Sequence, residues 1–220
     1  MIKQPIKIGL ADDQTLFRRT LAGYLSQQDH LDIVFDVSDG LELLNKLKTN
    51  LVDIIILDLS MPRLDGAQAL VKVRSDYPYI KPIVVTFGAD AQIINSLLEI
   101  GIYGFISKFE EPDELVRAIR HVSENKIHRN KYLTDALYLS NENSILTNKD
   151  TIKVNLTERE LRIIELLWAE KNNHEIASLL FLSIRSIEKL RQDLKEKLNV
   201  SSTVGLFKYA LRHKLITIPT

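Results

Sequence analysis

The feature that most constrains the fold is a series of five short β-rich segments separated by segments with helical spacing. The predicted strands span residues 6–11, 31–37, 52–59, 82–87 and 104–108. The third and fourth have continuous apolar cores, which is typical of parallel strands buried on both faces. Strands that alternate with helices predict a doubly wound α/β fold with right-handed crossovers. We therefore expect a parallel five-stranded sheet within residues 1–125.

The remainder of the chain predicts only helices. Thr157 and Glu160 have the spacing of a capping box that begins a helix. Ser183 is a plausible N-cap for a longer helix, and Ser201 or Ser202 for the last one. Four helices with short connections predict a small all-α domain. We assign residues 1–125 to the first domain, 126–153 to a linker with a possible short helix, and 154–220 to the helical domain.

The charge is divided unevenly between the two domains although the formal net charge is zero. Residues 1–125 carry 13 Lys and Arg against 18 Asp and Glu, whereas residues 149–220 carry 13 against 9. This asymmetry indicates that only the second domain faces an acidic partner such as DNA. The chain has no cysteine and no apolar run long enough to cross a membrane. We expect a soluble, cytoplasmic protein with no membrane partner.

Acidic residues follow two of the predicted strands. Asp12 and Asp13 come after the first strand and Asp58 lies near the end of the third, while Thr86 and Lys108 end the fourth and fifth. With a flavodoxin-like strand order, these residues converge at the carboxyl edge of the sheet. Three close carboxylates repel one another, and Mg²⁺ is the natural cation to relieve the repulsion.

This arrangement suits phosphoryl transfer. A carboxylate such as Asp58 can act as a nucleophile toward phosphorus and form an aspartyl phosphate. Lys108 would then pair with the phosphoryl oxygens, and Thr86 would donate a hydrogen bond to one of them. Each feature alone has an ordinary structural interpretation, since an Asp pair after a strand is usually a turn or a helix cap. Their occurrence at the ends of four strands of one sheet favours the functional interpretation.

The same residues resemble the receiver domain of two-component response regulators. The resemblance rests on Asp12-Asp13, on the segment 58–66 (DLSMPRLDG), on Thr86 and on Phe105-Ile-Ser-Lys108. It implies that Asp58 accepts a phosphoryl group from a sensor histidine kinase. We expect that the protein is not an enzyme.

The resemblance further implies the roles of the neighbouring residues. Mg²⁺ would be bound by Asp13, by Asp58 and by the backbone carbonyl of Ser60, with Asp12 acting largely through water. Thr86 and Phe105 would form a switch pair, in which Thr86 moves toward the phosphoryl group and the Phe105 ring turns inward.

The chain departs from the receiver pattern at two aromatic positions. Phe109 follows the lysine, where many receivers have proline after a cis peptide bond. A cis bond without proline costs roughly 3 kcal/mol. Phe87 follows Thr86, where many receivers have a small residue. We hypothesise that its ring slows phosphoryl access and lengthens the lifetime of the phosphorylated state.

The segment from Ser183 to Leu198 has two possible interpretations. Apolar residues at 184, 187, 190, 194 and 198 indicate a helix packed on a core, and its charged face could simply be solvated. The face could instead enter the DNA major groove, where Lys reads guanine, Gln reads adenine and Glu accepts from cytosine. Residues 183–214 carry 8 basic and 3 acidic side chains, which favours a phosphate-facing surface.

The helical domain resembles the LuxR-type helix-turn-helix of NarL/FixJ response regulators. The resemblance rests on segments 156–161, 174–177, 182–188 and 197–200. It implies base contacts by Glu188, Lys189 and Gln192. It implies phosphate contacts by three cations, namely Arg185, Arg191 and Lys195. The last helix, about residues 202–213, would form a homodimer interface on double-stranded DNA, which predicts a roughly two-fold symmetric operator.

Two other functions remain as alternatives. An aspartate-nucleophile phosphatase of the haloacid dehalogenase type would need a second Asp two residues after Asp58, where this chain has Ser60. A DNA-binding protein with a vestigial receiver would bind DNA equally well with and without a phosphodonor. The complete acidic set argues against the second alternative.

Overall fold

The computed structural model describes residues 4–137, 154–200, 202–213 and 215–216. The chain divides into two compact units, one made of residues 1–89 and 102–123 and the other of residues 90–101 and 124–220. Among the described residues, no helix has both the length and the apolar character needed to cross a membrane.

The first unit contains a parallel five-stranded sheet with the order β2-β1-β3-β4-β5. The strands are β1 (Ile6–Ala11), β2 (Leu31–Val37), β3 (Ile54–Leu57), β4 (Lys81–Thr86) and β5 (Gly104–Ser107). The predicted flavodoxin-like sheet is therefore confirmed. The third strand is shorter than expected, because the charged residues Asp53 and Asp58 flank its buried apolar core rather than extend it.

Helices connect the successive strands of the sheet. They are α1 (Thr15–Ser26), α2 (Gly40–Leu47), α3 (Gly66–Asp76), α4 (Ala91–Ile100) and α5 (Pro112–Ser123). Asp side chains at positions 39, 65 and 90 cap the amino ends of α2, α3 and α4 by accepting backbone hydrogen bonds. Buried apolar side chains of β1, β3, β4, α1 and α5 form a core on one face of the sheet, which holds the strand ends in a fixed arrangement.

The second unit is helical. Residues 131–137 form a helical segment, α6, and are followed after the undescribed part by α7 (Glu158–Trp168), α8 (Asn173–Leu180), α9 (Ile184–Lys197) and α10 (Thr203–Arg212). The predicted capping box of Thr157 and Glu160 begins α7, and Ser202 rather than Ser201 caps α10. A second capping box, formed by Asn172 and Glu175, begins α8.

The beginning of the expected linker belongs to the second unit. Leu133, Ala136 and Leu137 in α6 are buried. The Arg129 guanidinium lies 4.5 Å from the centre of the Trp168 ring and its Nε donates to Glu170 at 2.9 Å. The expected short helix therefore coincides with residues 131–137. The remainder of the expected linker, residues 138–153, lies outside the described residues.

The α10 helix is largely covered within the second unit. It packs against α4, α7 and α9. The Ser202 hydroxyl donates to the Leu98 carbonyl at 3.2 Å, and the Lys208 ammonium contacts the Asn95 carbonyl and the Glu99 carboxylate at 3.2 and 3.1 Å. Burial lowers the pKa of Lys208, although the ion pair with Glu99 opposes this shift. The helix expected to form a dimer interface therefore packs against α4 in this structure.

Candidate functional site

Three carboxylates meet at the carboxyl edge of the sheet. Asp12 directly follows β1 and Asp58 directly follows β3, and these strands are parallel neighbours in which Ala11 is paired with Leu57. Oxygen atoms of Asp12, Asp13 and Asp58 all lie within 4.8 Å of one another. The strand order alone brings these acids together, as expected from the sequence.

Lys108 joins the acidic cluster from the edge strand. It follows β5, and its Nζ lies 2.7 Å from Asp12 Oδ2 and 2.7 Å from Asp58 Oδ2. The Lys108 side chain has 0% of its surface exposed, and those of Asp12 and Asp58 have 2% and 1%. A buried charge is tolerated only when it is paired, so the cation and the two anions depend on one another.

Burial also acts on the protonation of the cluster. It raises the pKa of Asp12, while the hydrogen bond from Lys108 opposes the shift. Asp13, in contrast, is exposed. The side chains of Lys108, Asp12 and Asp58 are therefore buried within the site, while Asp13 faces solvent.

The cluster has the donor chemistry of a magnesium site. Carboxylate oxygens are hard ligands, and Mg²⁺ commonly binds one or two carboxylates and keeps several waters. The exposed Asp13 leaves room for that water, and the buried pair Asp12 and Asp58 gains from an added positive charge. The residues present therefore fit the ion. The Ser60 carbonyl stays a predicted ligand; the Ser60 amide donates to Asp58 Oδ1 at 3.3 Å.

Gly66 sets the shape of the loop that carries Asp58. A Cβ atom at Gly66 would lie 2.0 Å from the Asp58 carbonyl oxygen and 2.7 Å from the Leu59 Cα. The Gly66 amide donates to the Leu59 carbonyl at 2.9 Å. Only glycine allows the first turn of α3 to approach this loop so closely. Gly66 lies within the segment 58–66 that carries the receiver resemblance, which gave it no role of its own.

Arg18 supports the site and was missed by the sequence analysis. Its guanidinium donates to the Asp12 carbonyl, and its Nε donates to Asp36 Oδ2 at 2.8 Å. Arg18 is nearly buried, and it lies three and seven residues before the buried Leu21 and Leu25 of α1. A cation on the apolar stripe of a helix is the signal that could have identified it.

Thr86 and Phe105 lie on neighbouring strands. Thr86 is the last residue of β4. Phe105 lies in the adjacent strand β5, where it is paired with Val84 of β4. Both side chains are buried, and the Thr86 carbonyl accepts a hydrogen bond from the Lys108 amide at 2.8 Å. The backbone thus links Thr86 to Lys108. The proposed switching movement stays a prediction.

The α9 helix presents a polar face in the second unit. Arg185, Glu188, Lys189 and Gln192 are exposed and follow the three- and four-residue spacing of one helix face. The Gln192 side chain donates to Glu196 at 2.8 Å. Lys195 is partly buried. Four of the six predicted DNA-contacting side chains are therefore accessible on one surface.

The buried position of Arg191 does not support the phosphate contact predicted for it. It is 9% exposed, and its guanidinium donates to Asn173 and, at 3.1 Å, to Thr203. Arg191 therefore connects α8, α9 and α10 instead of facing solvent. Within the predicted apolar stripe, Ile187, Leu194 and Leu198 are buried as expected, whereas Ile184 is 43% exposed. Arg191 lies on the buried face because it is four residues after Ile187.

Two protein-family models match this chain. The response regulator receiver domain matches residues 8–120, which contain the acidic cluster and Lys108. The luxR family of bacterial regulatory proteins matches residues 154–210, which contain α7, α8, α9 and most of α10. The two matches correspond to the two resemblances found in the sequence.

Curated relatives match nearly the whole chain. The oxygen regulatory protein NreC of Staphylococcus epidermidis is 30% identical over 217 residues, which cover 96% of this chain and 99% of the relative. NreC of Staphylococcus aureus is 32% identical over 216 residues, with the same coverage of 96% and 99%. The similarity therefore includes both domains in the same order.

Solved structures share the fold. The RcsB response regulator of Salmonella typhimurium is 23% identical, with 94% of this chain and 98% of that chain covered and a TM-score of 0.59. ChrA, a response regulator of a heme-sensing two-component system, is 22% identical, with 97% and 100% covered and a TM-score of 0.51. At these identities the likeness concerns the fold alone.

Proposed function

This chain belongs to the response regulators that join a receiver domain to a LuxR-type DNA-binding domain, and we propose that phosphorylation of Asp58 controls its binding to DNA. The observation that carries the proposal is the ion cluster in which Lys108 contacts both Asp12 and Asp58 at 2.7 Å. The phosphoryl donor is a sensor histidine kinase.

Each residue of the cluster has a separate role in phosphoryl transfer. An oxygen of Asp58 attacks phosphorus while the bond from phosphorus to the donor breaks, and the donor keeps that electron pair. Lys108 then pairs with the phosphoryl oxygens instead of with Asp58. Asp13, Asp58 and the Ser60 carbonyl would hold Mg²⁺, with Asp12 acting through water. When bound, this ion neutralises charge on the phosphoryl oxygens.

The second unit supplies the DNA-binding surface. Glu188, Lys189 and Gln192 would reach base edges, while Arg185 and the partly buried Lys195 would contact phosphates. Their arrangement on one face of α9 suits insertion into a major groove. Arg191 is left out of this proposal because its guanidinium is committed to Asn173 and Thr203.

Dimer formation on DNA is a further part of the proposal. We assign the interface to α10, as the family resemblance implies. Since α4 covers α10 in this structure, an α10-mediated homodimer requires α4 to leave it. Phosphorylation would favour that state, because Thr86 at the end of β4 directly precedes the loop that leads into α4. The reaction takes place in the cytoplasm, where kinase and DNA meet.

A phosphatase with an aspartate nucleophile is the second candidate. Its mechanism would require an acid or base two residues after Asp58, and Ser60 is there instead. Turnover of a generic phosphate ester by the wild-type protein, lost in Asp58→Asn, would favour the phosphatase. No such turnover is expected here.

The test is incubation of the full chain with Mg²⁺ and acetyl phosphate. Intact mass is expected to rise by one phosphoryl group in the wild type and to stay unchanged in Asp58→Asn. Asp53→Asn is the matched control, because Asp53 flanks the opposite end of β3 and should not affect acceptance. A phosphorylated Asp58→Asn variant, or an unmodified wild type, would refute the proposal.

DNA binding is tested with an operator selected from a random duplex pool. Affinity is expected to increase on phosphorylation in the wild type and not in Asp58→Asn. Equal affinities of the wild type and Asp58→Asn, each with and without a phosphodonor, would support the vestigial-receiver alternative. Lys189→Ala should relax the sequence preference, while Arg162→Ala, an exposed cation on α7, should change little.

A further inference from the structure

Two phenylalanine rings lie beside the buried amino group of Lys108, and a third ring packs on one of them. The Lys108 Nζ lies 4.7 Å from the centre of the Phe17 ring and 4.9 Å from the centre of the Phe87 ring. The ring of Phe109 lies 5.4 Å from that of Phe87, tilted by 55°. We call Phe17, Phe87 and Phe109 the aromatic collar.

The collar is assembled from three separate parts of the first unit. Phe17 is in α1, Phe87 directly follows β4, and Phe109 directly follows Lys108 in the loop after β5. The peptide bond between Lys108 and Phe109 is trans, so the loop keeps ordinary backbone geometry. From the loop that carries Lys108, Phe109 therefore extends to the Phe87 ring and contacts it.

Two residues of the collar are exposed although they lie beside a buried charge. Phe87 is 45% exposed and Phe109 is 79% exposed, whereas Phe17 is partly buried and the Lys108 side chain is fully buried. Large apolar side chains kept at the surface gain little from burial. Here the Phe87 ring lies against the Lys108 ammonium and the Phe109 ring packs on it, so both place apolar surface between this cation and solvent.

Water is a reactant at this position once Asp58 is phosphorylated. Hydrolysis forms a bond between a water oxygen and phosphorus and breaks the bond from phosphorus to Asp58. The electron pair returns to the carboxylate, and inorganic phosphate leaves with the water's protons. Because Lys108 contacts Asp58, the phosphoryl group that Lys108 binds would lie beside the same rings. Excluding water from such a site slows this reaction.

We propose that the aromatic collar restricts the access of water and of small donors to Asp58 and so sets a slow rate of phosphoryl loss. Phe87 is the central residue because its ring contacts both the Lys108 ammonium and the Phe109 ring, while the Phe17 ring contacts the same ammonium. These are positioning residues, because they act on access and not on the reacting atoms. The inference rests on the proposed function, since it requires an aspartyl phosphate at Asp58.

The test compares half-lives of the phosphorylated full chain after removal of acetyl phosphate, followed by intact mass in Mg²⁺. Phe87→Ala is expected to shorten the half-life by about five- to tenfold, a change of roughly 1 kcal/mol in the barrier. Phe109→Ala should have a smaller effect. Phe87→Leu retains bulk without an aromatic face, so it should stay within about twofold of the wild type.

A second readout separates gating from a loss of structure. Opening the collar should also speed phosphorylation by acetyl phosphate, which damage to the site would slow. Tyr79→Ala is the matched control, because Tyr79 is an exposed aromatic residue at the opposite edge of the sheet, just before β4. Its half-life and phosphorylation rate should match the wild type.

Three results would overturn the inference while leaving the proposed function intact: an unchanged half-life in Phe87→Ala, equal acceleration in Phe87→Leu, or equal acceleration in Tyr79→Ala. Failure of the wild type to gain a phosphoryl group is a different result. It would overturn the proposed function and this inference together.

Discussion

The two regions of this protein are suited to bind phosphate in opposite ways. In the first, the Lys108 side chain is fully buried and is held by two carboxylates and two aromatic rings. In the second, Arg185 and Lys189 are exposed on one face of α9. Burying a cation costs free energy but fixes its position for one phosphoryl group, whereas exposed cations adapt to an extended polyanion. The contrast predicts that equivalent substitutions will affect stability in one region and affinity in the other.

The largest expected effect is the loss of the buried cation. Lys108→Met leaves Asp12 and Asp58 buried without their partner, so the free energy of unfolding should fall by about 3–5 kcal/mol at neutral pH without Mg²⁺. Mg²⁺ should restore part of this loss because it supplies the missing charge. Urea unfolding with and without Mg²⁺ measures both effects. The exposed Lys72 provides the control Lys72→Met, and an equal loss at both positions would contradict the contrast.

Gly66→Ala should disturb the first region almost as strongly. The added methyl group would meet the Asp58 carbonyl at 2.0 Å, so we expect a loss of about 2–3 kcal/mol together with impaired phosphorylation. Gly23→Ala is the matched control, since nothing lies within 4 Å of its Cβ position in α1. That change should stabilise the protein by up to about 1 kcal/mol. Equal behaviour of the two variants in thermal unfolding would refute the role of Gly66.

Arg191 tests the comparison inside the second region. Arg191→Ala removes the buried hydrogen bonds to Asn173 and Thr203, so unfolding should become easier by about 2 kcal/mol. Arg185→Ala should leave stability within about 0.5 kcal/mol and instead reduce the salt dependence of DNA binding by about one unit of slope. Chemical unfolding and DNA titrations at several salt concentrations distinguish the two. A stable Arg191→Ala variant with a reduced salt slope would restore its phosphate-contact role.

The smallest expected effect concerns the first turn of α7. Burial opposes the ionisation of Glu160, but hydrogen bonds from Lys197 and Thr157 outweigh it and lower its pKa below the usual 4.5. Its contribution to stability should therefore be present above about pH 5 and be lost as the pH falls through the lowered pKa. Glu160→Gln should flatten this part of the stability profile by less than about 1 kcal/mol. Glu165→Gln, at an exposed pair with Arg162, is the control.

The sequence predicted the features that depend on local pattern. The bounds of β1 and β2 match the expected segments, and the capping box at Thr157 was recognised from four consecutive residues. The convergence of Asp12, Asp58 and Lys108 was also predictable, because parallel strands place their carboxyl ends on one edge.

The sequence could not predict features that depend on distances between separate elements. The close approach of Gly66 to Asp58 is set by how α3 packs on the loop after β3. The buried position of Arg191 is a related case, since a charged residue on a mixed helix can face either way. Its position four residues after Ile187 pointed inward, but only the positions of Asn173 and Thr203 show what satisfies its guanidinium.

The strand order has a consequence for how the protein is made. Asp12 and Asp58 follow the central strands β1 and β3, whereas Lys108 follows the edge strand β5, which pairs only with β4. A ribosome-bound chain that ends before residue 108 therefore contains both anions but not the cation that neutralises them. The pocket is completed only when the last strand docks, so a nascent receiver should not capture phosphate before its synthesis is essentially finished.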